Sequence, residues 1–211
     1  MCFNLKFYIL LGCLIFPTTL RGVGPSHLEL LPWSQLSLEG KSPNHAFQTH
    51  TSSLEIESQF DSKLSAEEKS SDLFYRITKV GKIKQLILSI PVRSIKSGVE
   101  ELDHILQSAL KPKEFPKIIF TMKQYEFLKS FHPDFYPVKL RGTLSVAGKS
   151  RDENLILYIS FKKEAILIIG KHDIFMTDFD IQPPRVPVLN YPTNEKITIR
   201  FELYLKLIQG D

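Results

Sequence analysis

Hydrophobic and polar residues alternate most regularly near the C-terminal end of the chain. Six apolar residues lie at every second position there: Ile197, Ile199, Phe201, Leu203, Leu205 and Leu207. Six repeats at a spacing of two are typical of a β-strand with one buried face, whereas an amphipathic helix repeats at three and four residues. The pattern therefore predicts a long strand over 196–207.

The same alternation recurs through most of the preceding chain. It predicts strands within 86–92, 118–122, 138–146 and 155–161, and weaker candidates at 36–38, 54–56 and 73–80. The stretch 165–169 is apolar at every position, which predicts a strand covered on both faces. Eight or nine antiparallel strands are compatible with a two-sheet sandwich or with a closed barrel, and periodicity alone does not choose between them.

One segment has a helical pattern instead. Its apolar residues recur at three and four positions: Val99, Leu102, Ile105, Leu106, Ala109 and Leu110. Glu100 and Glu101 suit the positive end of the helix dipole, and Pro112 stops the element. We predict one short helix over 99–110 that packs over an open end or a flank of the sheet.

The first residues have the pattern of a targeting segment. Lys6 precedes an apolar run over 7–16, which is the length of a signal-peptide core and shorter than the ~20 helical residues that span a bilayer. We therefore expect a signal peptide over 1–24, a single domain over 25–211, and export to the periplasm or the medium. Two alternatives remain open: a buried N-terminal strand, and a lipoprotein acylated at Cys13.

Charge and the absence of catalytic motifs argue against several classes of function. The formal net charge is +4 and the basic residues are dispersed, so we expect no nucleic-acid partner. The six histidines are scattered, and no nucleophile elbow, phosphate loop or zinc-protease helix occurs. These observations predict a protein that is not an enzyme and holds no metal and no cofactor.

Several short motifs occur in an order that resembles the YceI-like family. The first passage contains Gly40, Ser42, Asn44, His45 and Phe47, and the later blocks are 90–98, 115–120, 141–148 and 176–184. The sequence departs from the family's pattern at Asp180, which replaces a frequent glycine, and in the charged insert that begins at Asp61.

The resemblance implies an all-β fold, a single antiparallel lipocalin-like β-barrel of about eight strands with the short helix. Its apolar interior would take a long-chain lipid such as a polyisoprenoid, with peripheral or no membrane contact. The inward rows of the predicted strands supply the candidate lining residues: Phe120, Met122, Leu140, Leu144, Val146, Leu157, Ile159, Phe161, Phe201 and Leu203. Ser42 and His45 are candidates for a polar mouth, although a histidine such as His45 is more often satisfied within a turn. The alternative is a structural or interaction module with a packed interior, tethered through Cys13.

Overall fold

A computed structural model describes residues 26–41, 46–60, 83–162, 165–183 and 195–208. The expected signal peptide, the candidate acylation site Cys13, the candidate mouth residues Ser42 and His45, and the strand expected at 73–80 lie outside the described residues. These expectations stay predictions.

The described chain forms ten strands, one α-helix and two short 3-10 helices. The strands are β1 (His27–Leu30), β2 (Gln35–Lys41), β3 (Ala46–Thr51), β4 (Glu55–Phe60), β5 (Ile83–Pro91), β6 (Lys117–Phe127), β7 (Tyr136–Val146), β8 (Lys149–Phe161), β9 (Ile166–Phe175) and β10 (Lys196–Ile208). The helix α1 is Glu100–Ala109, and the 3-10 helices are Val92–Ser94 and Met176–Phe179.

All the strands belong to one antiparallel sheet, which confirms the predicted fold class. Its order is β3-β2-β10-β9-β8-β7-β6-β5-β4, and β1 pairs with the far half of β10. The sheet curls into a half-barrel because its strands are long, twisted and continuously paired. The described residues contain more strands than the expected eight, since the short strands β1 to β4 add to the long β5 to β10.

The gap between the edge strands β3 and β4 is bridged in two places. At one end, the backbone N–H of Leu28 in β1 donates to Ser58 Oγ in β4 at 2.7 Å. At the other end, His50 in β3 exchanges two backbone hydrogen bonds with Lys96, in the segment that leads into α1. Each edge strand is therefore bonded to another part of the chain at one point.

The helix follows the predicted pattern closely. Val99 and Leu110, the first and last residues of the predicted segment, are its N-cap and C-cap. Asp103 stabilises the approach to the helix, because its Oδ1 accepts hydrogen bonds from the backbone N–H of Ser97 at 2.6 Å and from Ser97 Oγ at 2.7 Å. Burial favours a higher pKa for Asp103, but the hydrogen bonds from Ser97 and the charge of Lys96 outweigh it and lower the pKa.

The departure at Asp180 has a conformational explanation. Asp180 ends the second 3-10 helix with φ at 56° and ψ at 28°, which is the left-handed region. Glycine enters that region without strain, and aspartate is one of the few other residues that tolerates it. Lys149 forms an ion pair with Asp180 at 2.5 Å. The substitution therefore preserves the turn.

The apolar core divides into two clusters, one at each end of the barrel. The helix-side cluster contains the buried residues Leu36, Ile90, Val92, Ile95, Ile118, Leu144, Val146, Met176, Phe179, Ile181 and Ile197. The far cluster contains Leu28, Phe60, Ile166 and Leu205. Ala109 and Leu110 of α1 pack against the helix-side cluster, so the helix covers that end of the barrel, as the sequence predicted.

Candidate functional site: an apolar cavity inside the barrel

A cavity of about 230 Å³ lies inside the barrel. Strands β2 to β10 contribute lining residues, α1 contributes Leu106, Gln107 and Ala109, and the C-cap Leu110 also lines the cavity. Leu140 and Leu155, which are Cα partners on β7 and β8, line the cavity but belong to neither core cluster. Their side chains are only half-buried, so they face the open space between the two packed ends.

The structure brings together all ten residues that the sequence placed in the barrel lining. Each of them contributes to the cavity wall: Phe120, Met122, Leu140, Leu144, Val146, Leu157, Ile159, Phe161, Phe201 and Leu203. Whether they contact a ligand stays a prediction. Other lining residues, such as Phe47, Leu38 and Ile168, were missed because their strands are short or apolar on both faces, which hides the alternation.

Two phenylalanines of the lining lie flat against glycines on neighbouring strands. A Cβ atom added to Gly142 would approach the Phe120 ring to 2.3 Å, and one added to Gly170 would approach the Phe201 ring to 2.5 Å. Only glycine leaves room for such close approach within a strand. The two glycines therefore let both rings lie along the wall, which keeps the centre of the barrel open.

A few polar side chains interrupt this apolar wall. Glu153 on β8 and His172 on β9 both face the cavity, and Glu153 Oε2 lies 2.9 Å from His172 Nε2. The side chains of Glu153 and His172 are only 20% and 18% exposed to solvent, respectively. The sequence contained the signal, because Glu153 shares the odd-numbered inward row of Leu155 and Leu157. It was missed because the pairing depends on a contact between strands.

Three further polar residues line the cavity, and their hydrogen bonding differs. Gln107 Nε2 donates to the backbone carbonyl of Ile95 at 2.9 Å, and the Tyr125 hydroxyl accepts from the N–H of Ile83 at 3.2 Å. Thr49 Oγ1 is buried and has no hydrogen-bond partner within the described ranges. The wall thus has one unsatisfied hydroxyl group on β3.

Within the described residues, no group of three or more His, Cys, Asp or Glu side chains is arranged to hold a metal ion. None of the helices in those same ranges has the length and apolar character needed to cross a membrane.

The chain belongs to the YceI-like family, since the family's domain profile matches residues 39–205 and so covers most of the sequence. The match includes β3 to β9, α1 and most of the cavity wall. The resemblance deduced from the short motifs is therefore confirmed.

Two solved structures have the same fold. BcnA from Burkholderia cenocepacia is similar with a TM-score of 0.60 and 15% identity, over 83% of this chain and 99% of that one. A polyisoprenoid binding domain from Saccharophagus degradans, implicated in plant cell wall breakdown, is similar with a TM-score of 0.59 and 10% identity, over 87% and 98%. These structures confirm the lipocalin-type barrel. Among curated proteins, none matches the sequence.

Proposed function

We propose that this protein binds a long apolar chain, of the polyisoprenoid type, inside its barrel, and that it does so as a carrier without catalysing a reaction. The observation that carries the proposal is the cavity of about 230 Å³, whose wall is formed almost entirely by Leu, Ile, Val, Met and Phe side chains. Membership of the YceI-like family and the polyisoprenoid binding domain of the same fold support this choice of ligand.

The physical chemistry of the cavity favours such a ligand. An engineered cavity of about 150 Å³ lined by Leu, Ile and Phe stays dry and takes up benzene. The present cavity is larger and equally apolar, so an apolar chain segment gains contacts there without displacing well-bound water. Each methylene group transferred from water contributes about 0.8 kcal/mol, so a few isoprene units supply several kcal/mol before ordering costs.

The carrier role is tested by filling the cavity. We expect the gently purified protein to retain a co-extracted lipid, detectable by native mass spectrometry. Leu140→Trp places a larger side chain in the space between the two clusters, so lipid occupancy should fall several-fold while thermal stability changes little. Lys139→Trp is the matched control, because Lys139 is the exposed neighbour on the outer face of β7.

Two results would favour the alternative module with a packed interior. One is a parent protein that carries no lipid and takes none up from detergent micelles. The other is strong destabilisation by Leu140→Trp, since overfilling a packed core costs roughly 1 to 3 kcal/mol. Both together would rule out the carrier.

We also propose that the protein is exported and works in the cell envelope. The support is the sequence pattern at 1–24, where a lysine precedes an apolar run of signal-peptide length. We expect protein recovered from cells to lack these residues and to be found outside the cytoplasm. Intact Met1 in the recovered protein would contradict export by cleavage, and an acylated Cys13, seen by mass spectrometry, would establish the lipoprotein alternative.

A further inference from the structure

The hydrogen-bonded pair of Glu153 and His172 is the most polar feature of the cavity wall. Glu153 follows the outward-facing Asp152 on β8, and His172 lies between Lys171 and Asp173 on β9. The backbone ladder between these strands ends at Leu157 and Gly170. The pair therefore lies where β8 and β9 are no longer joined by backbone hydrogen bonds. At this place it supplies hydrogen-bonding groups to the inner wall.

We propose that Glu153 and His172 form a polar subsite that binds an uncharged hydroxyl group at the head of the apolar ligand. This inference rests on the proposed carrier function and specifies its ligand as an alcohol rather than a phosphorylated or carboxylated lipid.

The hydrogen-bonding capacity of the pair fits a hydroxyl group. A carboxylate has about four lone-pair sites, and the contact with His172 Nε2 uses one of them. Glu153 therefore has capacity for a further hydrogen bond from a ligand O–H. When the neutral imidazole donates its Nε2–H to Glu153, Nδ1 is a second acceptor, so the proton of a ligand hydroxyl group bonds either the carboxylate or Nδ1.

Charge excludes an anionic head group from the same place. The described lining residues include no Lys and no Arg, and their titratable members are Tyr125, Glu153 and His172. The pair has a net charge of about −1 when the imidazole is neutral and about zero when it is protonated. A phosphate or a carboxylate would meet the Glu153 charge at short range in an apolar wall, and the described lining contains no cation other than His172 in its protonated form.

Structural stability does not account for the pair equally well. Replacing a buried ionic pair with apolar residues of similar size is often neutral or stabilising. On the same inward rows, the neighbours on the cavity side are Leu155, Gly170 and Ile174, and the neighbour on the other side is the half-exposed Arg151, which pairs with Asp178. Apolar residues at these two positions would therefore continue the wall without loss of stability. The polar pair, in contrast, offers a hydrogen-bonding site to a ligand hydroxyl group.

The test compares three ligands with the same chain and different heads: farnesol, farnesyl phosphate and the hydrocarbon farnesene. Binding to delipidated protein is measured by calorimetry. We expect farnesol to bind about ten- to a hundredfold more tightly than farnesene, as a hydrogen bond to a charged group allows, and more tightly than farnesyl phosphate. The double variant Glu153→Leu/His172→Leu should lose the preference for farnesol and keep its affinity for farnesene.

Two single variants keep the test decisive if the double variant does not fold. Glu153→Gln retains hydrogen bonding but removes the negative charge, so discrimination against farnesyl phosphate should fall. Asp173→Asn is the control, because Asp173 lies beside His172 on the outer face and binds Lys196 and Thr198. Its ligand preference should equal that of the parent.

The outcomes separate this inference from the carrier function. Equal binding of farnesol and farnesene by the parent overturns the polar subsite and leaves the carrier intact. Unchanged discrimination against farnesyl phosphate in Glu153→Gln, together with an unchanged preference for farnesol over farnesene in the double variant, also overturns it. Failure of all three ligands to bind the parent overturns both proposals.

Discussion

Thr49 and Thr51 lie two residues apart on the same face of β3, but their hydroxyl groups have different surroundings. Both residues are buried. Thr51 Oγ1 lies 2.7 Å from Ser94 Oγ and accepts a hydrogen bond from the N–H of Ser53 at 3.1 Å. The hydroxyl group of Thr49 faces the cavity wall with no partner in the described chain. A buried polar group without a partner reduces stability.

This difference predicts opposite effects of the same substitution. Thr49→Val removes an unsatisfied hydroxyl group with little change of shape, so the free energy of unfolding of delipidated protein should rise by about 1 kcal/mol. Thr51→Val removes the hydrogen bonds that Thr51 makes with Ser94 Oγ and the N–H of Ser53, so it should lower the free energy of unfolding by about 1 to 2 kcal/mol. Urea unfolding of the two variants measures both effects. A loss of stability in Thr49→Val would mean that its hydroxyl group is satisfied.

The inward rows could be predicted residue by residue, but their polar members could not. Leu157 and Leu203 were placed correctly because a period of two assigns every residue of a strand to one of two faces. Glu153 and His172 obey the same periodicity, yet they are 19 positions apart and meet only across two strands. Sequence pattern gives the face of a strand, whereas the register between strands decides which polar groups meet.

At the scale of elements, Asp103 joins the first turn of α1 to the segment that precedes it. The carboxylate bonds Ser97 twice and lies 3.7 Å from Lys96 Nζ, so it fixes the turn that leads into the helix. Because the folded-state pKa is lowered below the ordinary value of 3.8, the stabilisation is fully present above that value. It is lost as the pH falls through the lowered pKa of the folded state.

Asp103→Asn should therefore destabilise the protein at neutral pH and have a smaller effect in acid. We expect a loss of about 1 to 3 kcal/mol at pH 7, since a buried charged hydrogen-bond acceptor is removed. The difference from the parent should shrink below about pH 4. Glu100→Gln is the control, because Glu100 lies on the solvent side of the same helix. Equal effects of the two substitutions in urea unfolding would contradict the role of Asp103.

The elements differ in how far the sequence predicted them. Strand β10 and α1 were predicted almost to their ends, because each has a sustained period and α1 also has a clear stop at Pro112. The short strands β1 and β3 were not predicted, since four to six residues hold too few repeats to define a period. Both are fixed by long-range pairing, β1 with β10 and β3 with β2.

At the scale of the whole molecule, the two core clusters explain how a stable barrel keeps an open interior. The helix-side cluster and the far cluster pack the ends, while Gly142 and Gly170 hold two aromatic rings against the wall between them. Periodicity alone left a sandwich and a barrel open, because both have strands with one apolar face. The continuous strand order, with β1 bonded to β4 and β3 bonded to Lys96, shows one curled sheet in the form of a half-barrel and not two stacked sheets.

This arrangement predicts that ligand binding and folding are linked. A ligand in the cavity contacts strands from both halves of the sheet, and the site does not exist in the unfolded chain. Farnesol at about 100 times its dissociation constant should therefore raise the free energy of unfolding of delipidated protein by about 2.7 kcal/mol. Thermal unfolding with and without farnesol measures the shift. Leu140→Trp, which fills the cavity, should show a much smaller shift at the same farnesol concentration, whereas Lys139→Trp should respond like the parent. A shift of the same size in all three proteins would place farnesol outside the barrel, because only an occupant of the interior competes with the new indole ring.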